Sequence, residues 1–359
     1  MATTDGLRRV RRLLQGLTTP LLPDDYSRLL NPLWTTRELR GKILRIDHHD
    51  PRTASLDIQP GWGVPVDFHA GQYIGIGLAI DGRYTWRSYS LTCAPTRSSG
   101  LLTITVRAVD GGKLSSHLVS TAHPGMTVRL AAPAGDFYLP YPIPPALLFV
   151  TAGTGITPVI GMLRDIEDRL DPATGGSDVW LVHSARTPAD VLFAAELDRL
   201  EAKGLKVHRR ITSVAGRVTP EELETIVPGA TERAVYACGP AEMLQKLEGW
   251  AADKGVNLKT ERFTISRDCA AEGGTVTFEA LGEPKTATVD GATTVLEAGE
   301  SVGVQLPFGC RMGICQTCVQ SLSDGYVIDL RTGEEKGPGE RFRPCVCVPA
   351  GDIHVEQPR

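Results

Sequence analysis

The 359-residue sequence predicts a multi-domain chain: a small β-barrel, an α/β domain on a parallel sheet, and a shorter α+β domain around a cysteine loop. Three observations predict it. Short apolar strands punctuated by Gly, Pro and Asp run from residue 40 to 141. Strands and helices alternate from 142 to 263. Three cysteines, Cys310, Cys315 and Cys318, then stand at the spacing C-x4-C-x2-C.

Composition excludes several classes. The formal net charge is −4, which gives no basic footprint for nucleic acid. No run is long and apolar enough for a membrane-spanning helix, and Ala146-Leu147-Leu148-Phe149-Val150 reads as a buried strand. The first residues lack the apolar stretch of a secretory signal. The cysteines Cys93, Cys238, Cys269, Cys310, Cys315, Cys318, Cys345 and Cys347 crowd toward the C-terminus. That argues against a secreted disulfide framework and for a reducing, cytoplasmic setting.

Residues 1–39 read as an N-terminal extension. Leu7, Val10, Leu14 and Leu17 share one helical face, with Arg8, Arg9, Arg11 and Arg12 mostly off it. Such a basic amphipathic helix over residues 7–17 either packs on the body of the protein with its arginines solvated or lies on an anionic membrane surface. Thr19-Pro20 and Leu22-Pro23 end it. Pro32-Leu33-Trp34 is expected to dock on the next domain.

In residues 40–141 the strands are Ile43–Ile46, Ser55–Ile58, Tyr73–Ile76, Leu102–Val106 and Thr127–Leu130. Strands this short at this spacing suggest a small barrel. The stretch holds Arg87-Ser88-Tyr89-Ser90 and Gly111-Gly112-Lys113-Leu114-Ser115. The second offers backbone N–H groups and a hydroxyl to a phosphate.

In residues 142–263 the strands are Ala146–Thr151, Val179–His183, Val207–Thr212 and Ala234–Ala237. The helices are Thr157–Arg169, Ala189–Lys203, Thr219–Ile226 and Ala241–Lys254. The alternation argues a parallel sheet covered on both faces. The first strand ends in Gly153-Thr154-Gly155-Ile156-Thr157-Pro158, a Gly-rich turn into a helix N-terminus and so a phosphate site. The last strand ends in Ala237-Cys238-Gly239-Pro240.

Residues 264–273 read as a linker. In 274–359, Thr275–Ala280 and Ala287–Val289 form a hairpin and Thr294–Ser301 a helix. The cysteine loop follows, with Gly309 and Gly313 permitting its tight backbone. C-x4-C-x2-C is the plant-type spacing for a [2Fe–2S] cluster, whose fourth thiolate lies further on. Cys345 and Cys347 are the candidates. A zinc site or plain buried thiols are the alternatives, but zinc favours C-x2-C pairs or Cys/His mixtures, and no His lies between Gly309 and Cys347.

Residues from about Gly274 onward resemble plant-type ferredoxins. In that family the last ligand is followed four residues later by Pro, then by Asp. Pro349 and Asp352 stand so after Cys345, so the resemblance implies Cys310, Cys315, Cys318 and Cys345 as the metal ligands. The two upstream regions resemble the ferredoxin–NADP reductase superfamily. Gly71-Gln72-Tyr73, Arg87-Ser88-Tyr89-Ser90, the Gly-Gly-Lys loop and Ala132-Pro133-Ala134-Gly135-Asp136-Phe137 carry the likeness, as do the Gly153 turn and Cys238-Gly239-Pro240. Ala70 departs from the Pro that many relatives have.

The resemblance implies a β-barrel flavin domain, an α/β parallel-sheet nucleotide domain and an α+β β-grasp ferredoxin domain. It implies flavin contacts from Arg87, Ser88, Tyr89, Ser90, Gly112, Lys113 and Ser115. It implies nicotinamide-nucleotide contacts from Gly153, Thr154, Gly155, Thr157, Ser184, Arg186, Cys238, Gly239 and Pro240. Ser90, near the flavin N5 edge, and Cys238, beside the hydride path, take the catalytic places. Phe263 is expected to cover the flavin ring. With Arg186 after the second strand and no acid there, NADPH is expected, with NADH the alternative. FAD is expected, with FMN the alternative.

The order of domains is similar to three-module iron–sulfur flavoprotein reductases of the phthalate dioxygenase reductase type. The expected route is NADPH to flavin to [2Fe–2S] to an outside acceptor. The stretch Leu17–Tyr26, with Asn31-Pro32-Leu33-Trp34 and Arg37-Glu38-Leu39-Arg40, resembles actinobacterial reductases that serve membrane acyl-CoA (stearoyl-CoA) desaturases. A membrane fatty-acid desaturase is therefore the expected partner, with peripheral membrane contact through residues 7–17. The alternatives are a ring-hydroxylating oxygenase or cytochrome P450 as acceptor and, in another class, a redox sensor or electron-carrying subunit.

Overall fold

The computed structural model describes residues 23–35, 38–80, 83–95, 100–170, 175–263, 271, 273–279, 283–309, 311, 313 and 316–356. The expected helix over 7–17, most of the linker, and Cys310 and Cys315 lie outside the described residues. The chain divides into two compact units: Met1–Leu78 with Ser88–Phe263, and Ala79–Arg87 with Thr264–Arg359.

The first unit opens with α1 (Pro23–Leu30), followed by a turn that Trp34 pins by stacking on Trp62, ring centroids 4.8 Å apart. The barrel strands are β1 (Arg40–Asp50), β2 (Thr53–Pro60), β3 (Tyr73–Ile80), β4 (Arg83–Ser90), β5 (Leu102–Arg107) and β6 (Thr127–Leu130). Their order is β4-β3-β6-β1-β2-β5. Just past β4, Leu91 bridges Ile104 of β5, which closes the sheet on itself and removes the open edge. Alternate residues point inward, so Ile43, Leu56, Ile58, Ile74, Ile76 and Ile104 are fully buried. Helix α2 (Lys113–Ser120) caps the barrel with Leu114, Leu118 and Val119.

The sheet that follows is parallel. It comprises β7 (Ala146–Ala152), β8 (Asp178–Ala185), β9 (Lys206–Ile211), β10 (Ala234–Cys238) and β11 (Leu258–Glu261), in the order β11-β10-β7-β8-β9. The helices are α3 (Ile156–Asp165), α4 (Ala194–Glu201), α5 (Thr212–Ala215), α6 (Pro220–Ile226) and α7 (Ala241–Lys254). The two-residue period of the strands sorts the core. Leu147, Phe149, Val179 and Leu181 join one cluster with α3 and α4. Leu148, Val150, Val182, Val235 and Ala237 join the other with α6 and α7. Each such buried aliphatic side chain contributes roughly 1.5–3 kcal/mol. Phe137 and Ala70 of the barrel region belong to the first cluster, so barrel and sheet share a core. Arg164 of α3 adds a polar tie, donating to the Thr92 carbonyl at 2.5 Å and to Glu196 at 2.6 and 2.8 Å.

In the second unit β12 (Gly274–Glu279), β13 (Lys285–Val289), β14 (Gln320–Asp324), β17 (Arg341–Phe342) and β19 (Ile353–Glu356) form a mixed sheet, order β13-β12-β19-β14-β17. The strands β15 (Val327–Asp329), β16 (Glu335–Lys336) and β18 (Cys347–Pro349) make a smaller one. Helix α8 (Val295–Ser301) buries Val295, Leu296 and Ala298 in one cluster with Val276, Phe278 and Ile353. It starts at a capping box: Glu297 N–H donates to Thr294 Oγ1 at 3.3 Å, and Thr294 N–H to Glu297 Oε2 at 3.0 Å.

Several elements differ from expectation. The helix expected over Ala189–Lys203 is a 3₁₀ turn (Pro188–Asp190) and then α4. Phe193 breaks it at φ 59°, a left-handed conformation that sends its ring into the core under the Arg164 guanidinium. The helix expected over Thr157–Arg169 is α helix only to Asp165 and finishes as a separate 3₁₀ turn, Glu167–Arg169. Helix α2 begins where the pair Gly111-Gly112 reads as a loop. Strand β11 is four residues long, and only its pairing with β10 makes it a strand.

Candidate active site and cluster loop

The Gly-rich turn sits where β7 ends. Residues Gly153–Gly155 form a 3₁₀ turn that runs into α3. Strands β8 and β10 flank β7 on opposite sides, so the chain crosses over in both directions from here. Such a switch point leaves a crevice beyond the strand ends. The α3 N-terminus has no side-chain cap, which leaves its N–H groups for an anion. Thr157 Oγ1 donates to the Thr154 carbonyl at 2.9 Å and stiffens the turn. A Cβ on Gly155 would lie 2.1 Å from the Cys238 carbonyl oxygen, so only glycine lets the turn close on β10. The structure thus brings Gly155 and Cys238 together across more than eighty residues of chain.

Ser184 is level with Ala152 in the β7/β8 register and is half-buried. Arg186 is exposed, and its carbonyl accepts from Ser213 N–H at 3.1 Å. Gly239 and Pro240 carry the chain from β10 into α7, with Pro240 at the N-cap.

Cys238 is fully buried, and burial pushes its thiol well above the ordinary range. Beside it, in register on β11, stands Glu261. Its Oε2 is buried with no hydrogen-bond partner among the described residues. Burial, and then the nearby Asp136 carboxylate, push the Glu261 carboxyl up to about 8 from an ordinary 4.5. At neutral pH it is a protonated acid beside Cys238, a group able to hold or release a proton. In the sequence Glu261 only ends the domain ahead of Arg262 and Phe263, and no alternating pattern marks its segment as a strand. Two strands over from Cys238, on β8, His183 Nδ1 pairs with Thr151 Oγ1 at 2.8 Å, and burial pulls its imidazole down to about 4, so it is neutral.

In the barrel, Ser88 Oγ and Ser90 Oγ are buried and have no hydrogen-bond partner among the described residues. Buried hydroxyls cost free energy until something bonds to them, so this pair is able to take the polar edge of a ligand. Tyr89 lies between them, half-buried. Arg87 is exposed, and its Nη1 donates to the Trp86 carbonyl at 2.7 Å. Gly112 is the N-cap of α2 with no side-chain cap, a second open helix N-terminus. Lys113 is exposed at its first position, while Ser115 Oγ accepts from Val109 N–H at 3.2 Å. Phe263 closes the unit and is 37% exposed.

In the second unit Cys318 Sγ lies 3.2 Å from Cys345 Sγ, both buried. With metal–thiolate bonds of about 2.3 Å, two sulfurs on one metal ion come within about 4 Å, so this pair fits a shared iron. Cys347 sits at the start of β18, its N–H donating to the Arg343 carbonyl at 3.1 Å. Burial pushes its thiol up to about 12. Gly313, in the loop, has φ 70° and packs on Val346, between Cys345 and Cys347. A Cβ there would be 2.8 Å from Val346 Cγ2.

Comparison with known proteins agrees with this layout. Residues 49–138 match the oxidoreductase FAD-binding domain, 149–248 the oxidoreductase NAD-binding domain, and 278–350 the 2Fe–2S iron–sulfur cluster binding domain. The chain belongs to the family of flavin-dependent NAD(P)H oxidoreductases that carry a C-terminal 2Fe–2S ferredoxin domain. It is 48% identical to the NADPH oxidoreductase of Mycobacterium tuberculosis (strain H37Rv), across 98% of this chain and 93% of that one. It is 27% identical to the glycine betaine monooxygenase reductase subunit of Pseudomonas aeruginosa, across 92% and 99%. The solved phthalate dioxygenase reductase shares the fold at a TM-score of 0.59 and 22% identity, covering 89% of this chain and 98% of that one. FAD, NAD(P)H and a 2Fe–2S cluster are the cofactors, and the protein is an NAD(P)H-dependent electron-transfer reductase. No helix of the described residues is long and apolar enough to cross a membrane.

Proposed function

We propose that this reductase passes electrons from NADPH to a membrane di-iron desaturase acting on fatty acyl chains, such as acyl-CoA. The N-terminal stretch carries the reading. Its Asn31–Trp34 turn is anchored on the barrel by the Trp34–Trp62 stack, while Leu29 and Leu30 of α1 are 79% and 81% exposed. Apolar side chains held out to solvent by an anchored turn suit contact with a partner or a membrane.

The domain limits are 40–141, 142–263 and 274–359, with 264–273 as linker. The α3 N-terminus and Gly153–Gly155 hold the nucleotide phosphates. Cys238 packs beside the nicotinamide, and Ser184 with Arg186 favours a 2′-phosphate. Ser88, Tyr89 and Ser90 face the flavin ring. Gly112, Lys113 and Ser115 at the α2 N-terminus hold its pyrophosphate. When bound, the flavin converts a two-electron hydride into single electrons that a cluster can carry. Glu261 keeps a proton within the water-poor end of this site. Cys310, Cys315, Cys318 and Cys345 hold the cluster, and the 3.2 Å approach of Cys318 to Cys345 supports Cys345 over Cys347.

A second reading has a soluble oxygenase component as acceptor, favoured by the relatives named as monooxygenase reductase subunits. The test is NADPH-dependent desaturation by desaturase-bearing membranes, with the full chain and with residues 1–39 removed. The desaturase reading expects turnover that falls at least tenfold on truncation, with ferricyanide reduction intact. Absence of turnover with membranes, beside rapid turnover with a soluble oxygenase, would favour the second reading.

A further inference from the structure

Behind the cluster loop lies a charged arrangement that neither the cysteine motif nor the core requires. Asp329, at the end of β15, has a side chain only 3% exposed. Burying a carboxylate so deeply is costly unless it is paired and fully bonded. Both its oxygens are used. Oδ2 accepts from Arg343 Nη2 at 2.6 Å, and Oδ1 from Arg331 N–H at 2.9 Å. Arg331 reaches Asp329 through its backbone N–H, and among the described residues neither its guanidinium nor the other arm of Arg343 ends on a second carboxylate. Arg343 Nη1 donates to the Gly313 carbonyl at 2.7 Å, and Arg331 Nη1 donates to the same oxygen at 3.0 Å. Gly313 belongs to the cysteine loop, and Arg343 lies two residues before Cys345. Asp329 is in register with Cys347 across β15 and β18. One buried acid therefore connects the loop to the strand pair beside the later cysteines.

We propose that Asp329, Arg343 and Arg331 are positioning residues that fix the Gly313 peptide and, through it, the reduction potential of the cluster. Two cationic donors hold the negative end of that peptide dipole. Without them the carbonyl is free to turn toward the sulfurs, where its partial charge opposes addition of an electron. Peptide dipoles and hydrogen bonds around the sulfurs set cluster potentials. The proposal rests on Cys318 and Cys345 being among the ligands.

A point-charge effect and a bracing effect differ in sign. Asp329→Asn removes a negative charge, which alone would raise the potential. Loss of the brace lowers it, because Arg343 is no longer held on Gly313. Arg343→Lys keeps the charge, but an ammonium cannot reproduce the fork that joins a carboxylate to a carbonyl. Charge alone predicts no change there, whereas the brace predicts a lower potential. Arg331→Lys removes one of the two bonds to the carbonyl and should shift the potential the same way by less.

The experiment is a redox titration of the cluster in the full holoprotein, with the electron paramagnetic resonance spectrum of the reduced form. Flavin content and circular dichroism report folding. A lower potential with altered g-values in Asp329→Asn and Arg343→Lys is the expected result. A rise in Asp329→Asn, or unchanged potentials in both Lys variants, overturns the brace. If Asp329→Asn fails to fold, the two Lys variants decide alone. A parent chain without iron, or a cluster that survives Cys345→Ser unchanged, overturns instead the ligand reading beneath it.

Discussion

On the proposed site assignment the Gly153–Gly155 turn and the cysteine loop each hold a cofactor, and the two segments are braced by different means. The turn at Gly153–Gly155 grows from β7, whose residues Leu147–Thr151 are paired one by one with Ala234–Cys238 of β10. Once that register is set, Gly155 must meet the Cys238 carbonyl, and no charged side chain is involved. The cluster loop lies between α8 and β14 and is held by side chains reaching in from elsewhere. Arg343 and Arg331 hold Gly313, while Arg311 pairs with Glu300 at 2.5 Å and lies over the Phe308 ring. Strand-end sites take their precision from backbone hydrogen bonds that form cooperatively. Loop sites need separate braces, which can be lost one at a time.

The sharpest test of that contrast is at the ligands. Cys345→Ser should remove the cluster, seen as loss of iron and of the cluster's visible bands, while flavin stays bound and NADPH still reduces ferricyanide. Cys347→Ser should keep the cluster. If the two results exchange places, Cys347 is the fourth ligand and the pairing with Cys318 misleads.

The strand-end site should fail differently. Gly155→Ala places a methyl group inside the Cys238 carbonyl, which no side-chain rotation relieves. The turn must move, and a displacement near 1 Å can cost about a hundredfold in rate. NADPH reduction of the flavin in stopped flow should fall by about that factor with the cluster spectrum unaltered. A fall below tenfold would show the turn to be softer than its register implies.

The smallest effect concerns Glu261. Its carboxyl titrates near 8 in the folded chain against an ordinary 4.5. A raised pKa means that the folded state binds the proton more tightly than the unfolded one. Stability is then greatest below 4.5 and is lost as pH rises toward 8, by about 1.4 kcal/mol per pH unit at most. Glu261→Gln should remove that slope, so its advantage in thermal unfolding over the parent grows from about pH 5 to pH 8. Parallel curves would mean that the acid is already ionised or solvated.

Local pattern carried much of the architecture. The alternation of strands and helices predicted a parallel sheet, and the predicted Ala241–Lys254 helix coincides with α7. The expected Thr219–Ile226 helix is α6, and the structure shows Thr219 and Glu222 capping its start in both directions. The Gly-x-Gly-Ile-Thr-Pro turn and the cysteine spacing pointed to their chemistry because each concentrates its functional atoms within a few residues. Where a distant contact overrode the local period, the reading failed. Phe193 interrupts a helical pattern to fill the core, and β11 is a strand only because β10 lies beside it.

The local units and the cofactor class each can serve were thus written in the sequence, since backbone period, turn chemistry and ligand spacing act over a few residues. The tertiary structure alone decided which units face one another. It set Glu261 beside Cys238, seated Gly155 on the Cys238 carbonyl, and joined Asp329 and Arg343 to Gly313. Those contacts depend on strand order and register, which arise from packing across the whole domain, and no local period encodes them.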